Sequence, residues 1–252
     1  MFCMSKSNLA VKEEMEEVVE EAILPNATAK NNVRVMYNEK MKTKKKIIYK
    51  IIKRMIDIIG ALIGTVLLIP VTIIIYFARK FSKEEQGPLF YEQLRYGKNG
   101  KIFRLYKYRS MCIGADEKLK EYLANNEEAR KEFKKTHKLQ NDPRITPIGN
   151  FLRKTSLDEL PQVINILKGE MSFVGPRPVV EKEVEDYGKN RDKFLSVKPG
   201  LTGYWQVNGR SNTTYEERMK MELYYVDNCS LWLDIKIFFK TFITVFKKEG
   251  AV

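Results

Sequence analysis

A run of 21 residues without a charged side chain, residues 58–78, limits the folds open to this chain more than any other stretch. As a helix rising about 1.5 Å per residue it would measure roughly 31 Å, the hydrocarbon thickness of a bilayer. Its flanks are basic on both sides, with Lys50, Lys53 and Arg54 before it and Arg79, Lys80 and Lys83 after it. Cations mark the cytoplasmic side of a membrane segment, so two basic ends favour a segment that enters and returns on one face. Pro70 falls inside the run, where it removes a backbone donor and leaves the Val66 carbonyl without its helical partner. A kink or break is expected there. Three arrangements remain open: a re-entrant hairpin broken at Pro70, a simple spanning helix, and a buried helix of a soluble domain. In the first, protein or interfacial water has to satisfy the backbone at the break.

A chain of 252 residues accommodates one well-buried domain with a membrane piece or an arm attached. Its 45 lysines and arginines exceed its 32 acids, a net charge of +13 that calls for an anionic partner. Eight of those cations lie from Lys40 to Arg54 with no acid among them, directly against the apolar run. That placement favours a membrane surface or a phosphorylated substrate over nucleic acid, which would have cations interleaved with aromatics along a groove. Cys3, Cys112 and Cys229 are far apart and suggest neither zinc nor a disulfide framework. His137 is the only histidine, which argues against a Ser-His-Asp triad, a histidine-rich metal centre or a Cys-His pair; a surface position on a charged helix suits it. Residues 1–39 carry an acidic run over 13–21 and are expected to form a flexible arm. No cleavable secretory signal is expected, because residues 1–30 are polar and glutamate-rich.

The expected organisation is therefore an arm (1–39), a basic run with a re-entrant membrane helix (40–80) and a cytoplasmic domain (81–252). In the last part, residues 87–93 and 101–109 read as two strands around a Gly97-Lys98-Asn99-Gly100 turn, presenting Arg104, Lys107 and Arg109 near the membrane. Residues 115–135 have helical spacing and paired charges, the pattern of a surface helix. Residues 215–226 read as a further helix. Residues 231–248 set Lys236, Lys240, Thr244, Lys247 and Lys248 against Trp232, Ile235, Phe238, Phe239, Phe242, Ile243 and Phe246. That pattern suits an interfacial amphipathic helix on anionic lipid, with a core helix as the alternative.

The chemistry centres on Leu157-Asp158-Glu159-Leu160-Pro161-Gln162, followed by Gly175-Pro176-Arg177-Pro178. Adjacent carboxylates and an arginine held between prolines suit a metal ion together with a phosphate, which a guanidinium fork grips bidentately. A purely structural account also exists: Thr155 or Ser156 as an N-cap, with Asp158 and Glu159 in the first helical turn, where the dipole favours negative charge. Pro199-Gly200-Leu201-Thr202-Gly203 leads into Tyr204-Trp205-Gln206-Val207-Asn208-Gly209-Arg210, a turn-rich stretch able to hold a sugar or nucleobase, or equally to bury Trp205 as part of a structural loop.

Taken together these stretches resemble one family. Lys53-Arg54 with Asp57 before a proline-interrupted apolar run, Gly87-Pro88 with Gln93, Tyr106-Lys107-Tyr108-Arg109-Ser110-Met111, the Asp158-Glu159 segment, the Gly175 to Pro178 turn and the Pro199 to Gly203 turn look like the bacterial sugar transferases. These are monotopic phosphoglycosyl transferases. The resemblance runs from about Lys53 to Lys248 and implies a helix-rich α+β fold with a small catalytic domain on the cytoplasmic face of the bacterial inner membrane. It implies Mg²⁺-dependent transfer of a sugar 1-phosphate from a UDP-sugar to undecaprenyl phosphate, releasing UMP, the first membrane step of exopolysaccharide, capsule or glycoconjugate assembly. Asp158 would be the nucleophile that carries the phosphosugar, with Glu159 as its partner and both as metal ligands. Lys107, Arg109, Arg153 and Arg177, with Gln206, Asn208 and Arg210, would bind phosphate and substrate. Some relatives carry a serine before the membrane proline, where this chain has Ile69. The stretch from Tyr204 to Trp232 is more similar to members that transfer glucose or galactose phosphate than to those that use diacetamido sugars. A non-enzymatic, membrane-anchored adaptor that binds anionic lipid is the other reading of the basic run and terminal helix.

Overall fold

The computed structural model describes residues 27–82, 87–136, 139–209 and 213–246. The acidic run at 13–21, His137, Arg210, Lys247 and Lys248 lie outside them. The chain divides into two units, Met1–Ile52 and Lys53–Val252. The described part of the first is helical and belongs to α1 (Ala27–Phe81), with its Lys44, Lys45, Lys46 and Lys50 exposed. The second unit holds the remainder of α1 and every other element of the described residues.

Within that unit α1 turns one seam inward: Asp57, Ala61, Leu68 and Ile75 are buried at heptad-like spacing. A Cβ at Gly60 would come within 2.6 Å of the Phe173 ring, and one at Gly64 within 2.9 Å of Val163 Cγ1, so glycine lets the helix close on its neighbours. The backbone stays helical through Pro70, and the division into two helices expected there is not found. Packing accounts for this. Leu68 and Ile75, on either side of the proline, enter one cluster with Tyr108, Leu152 and Val163. Thr72 Oγ1 reaches Tyr108 Oη at 2.5 Å, fastening the helix just beyond the proline. Among the described residues α1 contains one segment, Thr43–Phe81, long and apolar enough to cross a membrane.

β1 (Phe90–Tyr96) and β2 (Ile102–Tyr108) form the expected hairpin, antiparallel with Gln93 opposite Leu105. The single surface helix expected over 115–135 is instead two, α2 (Ala115–Asn125) and α3 (Glu127–Thr136). Asn126 divides them: its backbone is extended and its Oδ1 accepts the Ala129 N–H at 2.9 Å. Then come α4 (Pro147–Lys154), a 3₁₀ turn at Leu157–Glu159, α5 (Gln162–Lys168) and β3 (Ser172–Val174). Short helices α6 (Glu181–Glu185) and α7 (Arg191–Phe194) lead to β4 (Gly200–Thr202), which pairs in parallel with β3. The chain closes with α8 (Tyr204–Asn208), α9 (Tyr215–Asn228) and α10 (Leu231–Phe246). The result is helix-rich with two small sheets, an α+β arrangement. Ala61, Phe103, Leu105, Ile166 and Met171 form a core cluster that joins α1, β2 and α5.

Candidate active site

The elements that bear the candidate cations are pinned by backbone contacts too close for a side chain. On α4, a Cβ at Gly149 would lie 1.9 Å from the Ser110 carbonyl oxygen, so only glycine lets that helix sit against the end of the hairpin. Thr146 caps α4 by accepting the Gly149 N–H, and Arg153, one turn on, donates from Nε to Ser110 Oγ at 3.1 Å. The Gly175 to Pro178 turn packs backbone to backbone on the Pro199 to Gly203 turn, since a Cβ at Gly200 would meet Gly175 N at 2.1 Å. One turn leaves β3 and the other contains β4, and their close packing fixes Arg177 at the exit of a sheet.

The carboxylate pair is not a capped helix start. Thr155 ends α4, its Oγ1 donating to Phe151 O and Leu152 O. Ser156 makes no side-chain cap and sits in the left-handed region at φ 56°, a conformation that non-glycine residues adopt at a cost of about 1 to 3 kcal/mol. The adjoining 3₁₀ turn buries Asp158 and leaves Glu159 half-buried. Lys107, from β2, donates to Glu159 Oε1 at 2.6 Å.

The two acids differ electrostatically. Burial pushes the Asp158 carboxyl up to about 6, with Lys107 opposing that and Glu159 adding to it. Burial acts on Glu159 in the same sense, but Lys107 and Arg177 outweigh it and hold this carboxyl below its usual range. Asp158 is therefore the anion that burial penalises, and Glu159 the one that its neighbouring cations stabilise.

Both line a cavity of about 1170 Å³ that also takes in Lys107, Arg153, Arg177 and Gln206. Arg177 is held by its main chain: its N–H donates to Glu222 Oε1 at 3.3 Å. Glu222 is buried on α9 and accepts from Tyr187 Oη as well as from Arg218 Nε at 3.4 Å. Gln206 Nε2 donates to Leu201 O at 3.3 Å. Two other candidates point elsewhere. Arg109 donates to Pro88 O at 2.9 Å and stacks over Tyr91, and Asn208 bridges Tyr204 O and Lys240 Nζ; neither lines the cavity.

Several cavity residues were not among the candidates drawn from sequence. Asp57 accepts from Ser172 Oγ and the Phe173 N–H at 2.9 and 3.0 Å, tying α1 to β3. Lys53 pairs with Asp234 at 2.7 Å, and Tyr225 Oη donates to Asp234 Oδ1 at 2.6 Å. Asp142 holds Arg144 bidentately. The available signal was a lone acid in an otherwise apolar helical stripe, as with Asp234 in α10.

Adjacent carboxylates suit Mg²⁺, which takes one or two of them and completes its octahedron with water and substrate phosphate oxygens. No group of three or more potential ligands converges among the described residues, so an all-protein cage is not the fit; a two-carboxylate site is.

The second unit thus brings together a helix long and apolar enough to cross a membrane and a cavity lined by an acid pair and several cations, Lys107, Arg153 and Arg177 among them. Comparison with known proteins gives the family. The profile of the bacterial sugar transferases matches residues 48–248, and the chain belongs to that family. It is 48% identical over 202 residues to the undecaprenyl-phosphate galactose phosphotransferase of Salmonella typhimurium, covering 80% of this chain and 42% of that protein. It is 45% identical over 199 residues to the exopolysaccharide production protein ExoY of Rhizobium meliloti, covering 79% of this chain and 87% of that one. A third relative is the UDP-glucose:undecaprenyl-phosphate glucose-1-phosphate transferase of Escherichia coli, 40% identical over 206 residues, which cover 79% of this chain and 40% of that protein. The chain thus spans less than half the length of the Salmonella and Escherichia proteins.

Proposed function

We propose that this chain transfers a sugar 1-phosphate from a UDP-sugar to undecaprenyl phosphate, and that Asp158 carries the phosphosugar between the two. The observation behind this reading is the asymmetry of the acid pair. Asp158 is buried at the cavity wall with its pKa raised, and Glu159 beside it is neutralised by Lys107. A carboxylate short of stabilising partners is a better nucleophile than one held in an ion pair.

In the first step an Asp158 oxygen bonds to the sugar-bearing phosphorus, and the bond from that phosphorus to the bridging oxygen breaks, its electron pair leaving with UMP. In the second, an oxygen of the lipid phosphate bonds to the same phosphorus and the acyl-phosphate bond breaks, returning the Asp158 carboxylate. Arg153 and Arg177, fixed by Ser110 and Glu222, meet the charge on the transferred group, and Lys107 keeps Glu159 turned to the site. Mg²⁺, held by Asp158 and Glu159, would supply neutralisation of the diphosphate charge.

The setting is the cytoplasmic face of the inner membrane, with α1 bent at Pro70 without a break in its helical backbone, so that both of its ends lie on one side. Contacts at both ends of its apolar segment support this. Asp57 near the start bonds Ser172 and Phe173, and Arg79 past the end donates to Gly87 O at 2.9 Å. One small domain touching both ends is hard to reconcile with a helix that carries them to opposite faces. The exposed apolar face of α10 would lie at the same interface, on anionic lipid. Incubation of the purified chain with UDP-glucose or UDP-galactose, Mg²⁺ and undecaprenyl phosphate tests the reaction. Lipid-linked sugar and UMP are the expected products, and salt-sensitive vesicle binding with no turnover would leave only an adaptor.

A further inference from the structure

Close to Arg177 the cavity wall carries an aromatic ring that the two displacement steps leave unused. Trp205, on α8, lines the cavity and is half-buried. Its single polar atom, Nε1, donates to Thr213 Oγ1 at 2.8 Å, so the ring has no donor left for a ligand and offers only its carbon surface. The Arg218 guanidinium, on α9, lies over the ring with Cζ 4.8 Å from the centroid, and Glu222 and Glu183 fix it there at 3.4 and 3.3 Å. Arg218 is buried and does not line the cavity, which makes it a support for the ring. The same residues tie Trp205 to Arg177. Glu222, which accepts from Arg218, also accepts the Arg177 N–H. The backbones meet as well: a Cβ at Gly203, the residue before α8, would lie 2.2 Å from Gly175 O. Trp205 and Arg177 each follow that contact by two residues, so the ring and the phosphate-binding cation are set side by side.

We infer that Trp205 is the platform for the pyranose ring of the donor's sugar, held in position by Arg218. The inference rests on the reading above and assigns it a specificity-determining side chain. Stereochemistry selects the sugar over the uracil base. An in-line displacement puts the Asp158 oxygen and the oxygen that leaves with UMP on opposite sides of the transferred phosphorus. The oxygen that joins the sugar lies between them, beside the two unbridged oxygens. Arg177 meets those unbridged oxygens, so the group at its flank is the sugar, and the nucleotide departs on the side away from Asp158. The polar residues next to Trp205 in the chain agree with this. Thr202 and Gln206 are uncharged and line the same cavity, which suits sugar hydroxyls, while a flat carbon surface covers the C–H face of a pyranose.

Two measurements on the full chain test it. In the first, Trp205→Leu and Trp205→Phe are compared for donor KM, with UDP-glucose and UDP-galactose, and for the inhibition constant of UMP, which carries the base without the sugar. Trp205→Leu is expected to raise KM about tenfold, Trp205→Phe to restore most of it, and neither to move UMP inhibition by more than about twofold. Equal weakening of UMP would make the ring a base platform or a support of the fold, and an unchanged KM would leave it no substrate contact; either overturns the inference. The second measurement keeps Trp205 and so holds even where the leucine variant does not fold. Trp232→Phe leaves Trp205 as the one tryptophan of the chain, and Asp158→Asn blocks turnover. In that double variant UDP-hexose should change the tryptophan emission saturably and UMP should not; an equal response to UMP, or none to either, overturns the inference. Absence of UMP release by the unsubstituted chain would sink the reaction instead, with the emission response still deciding the platform.

Discussion

Two buried carboxylates in this molecule, Asp158 and Glu222, are treated in opposite ways. Burial raises the pKa of both. Glu222 is then surrounded by donors, accepting from Tyr187, Arg218 and the Arg177 main chain. Asp158 receives no side-chain hydrogen bond among the described residues, and the cation that acts on it most, Lys107, is committed to Glu159. Packing alone would favour giving both acids donors. The difference separates an acid that holds the Arg177 main chain and Arg218 from one that, in the proposed reaction, is left free to attack.

Removing the bare acid gives the largest effect. Asp158→Asn should lower transfer by about 10³-fold or more, measured as lipid-linked product, because no other group supplies the nucleophile. The same substitution should stabilise the protein. With a folded pKa near 6 against a usual value of 3.8, the native state binds more protons than the unfolded one between these values, so stability falls as pH rises through that window. At pH 8 the full penalty applies, and the asparagine variant should gain on the order of 1 to 3 kcal/mol in denaturant unfolding. A loss of stability would mean that Asp158 has the partners it lacks here.

Arg177→Ala should cost roughly 10² to 10³ in kcat, the range for loss of one charge-stabilising donor, read from initial rates at saturating donor. Glu222→Ala should act in the reverse direction to Asp158→Asn, because it leaves the buried Arg218 and the Tyr187 hydroxyl without their acceptor. It should destabilise by about 3 kcal/mol, with a smaller fall in kcat through Arg177, the former seen as a drop in Tm. The smallest effect is that of pH. If Asp158 attacks as the anion, log kcat/KM should fall with unit slope below about pH 6 and stay level above it. A break near pH 4 would mean that a bound cation or solvent offsets the burial of Asp158 in the working enzyme.

Much of this was legible in the chain because it rests on local chemistry. The hairpin follows from alternating aromatics around a glycine turn, and α10 from its periodicity. The acid pair and the arginine between prolines stand out by residue type. What escapes a sequence depends on tertiary contact. Helical backbone continues through Pro70 because Leu68 and Ile75 are packed on both sides of it, a fact no local rule contains. Ser156 suits a cap by its hydroxyl, but the tight junction of α4 with the 3₁₀ turn forces it into left-handed backbone. Asp57 and Asp234 look like isolated charges on apolar helices until their partners, 115 and 181 residues away in sequence, come within reach.

The central claim is that Asp158 forms a covalent bond to the phosphosugar, and one measurement addresses it directly. The full chain is incubated with a UDP-sugar and Mg²⁺ without lipid acceptor, quenched, and analysed by intact and peptide mass spectrometry. A single hexose phosphate on the peptide that contains Asp158, discharged on adding undecaprenyl phosphate, is the predicted result. Lipid-linked product formed with no adduct at any time, or with the adduct on another residue, would contradict it.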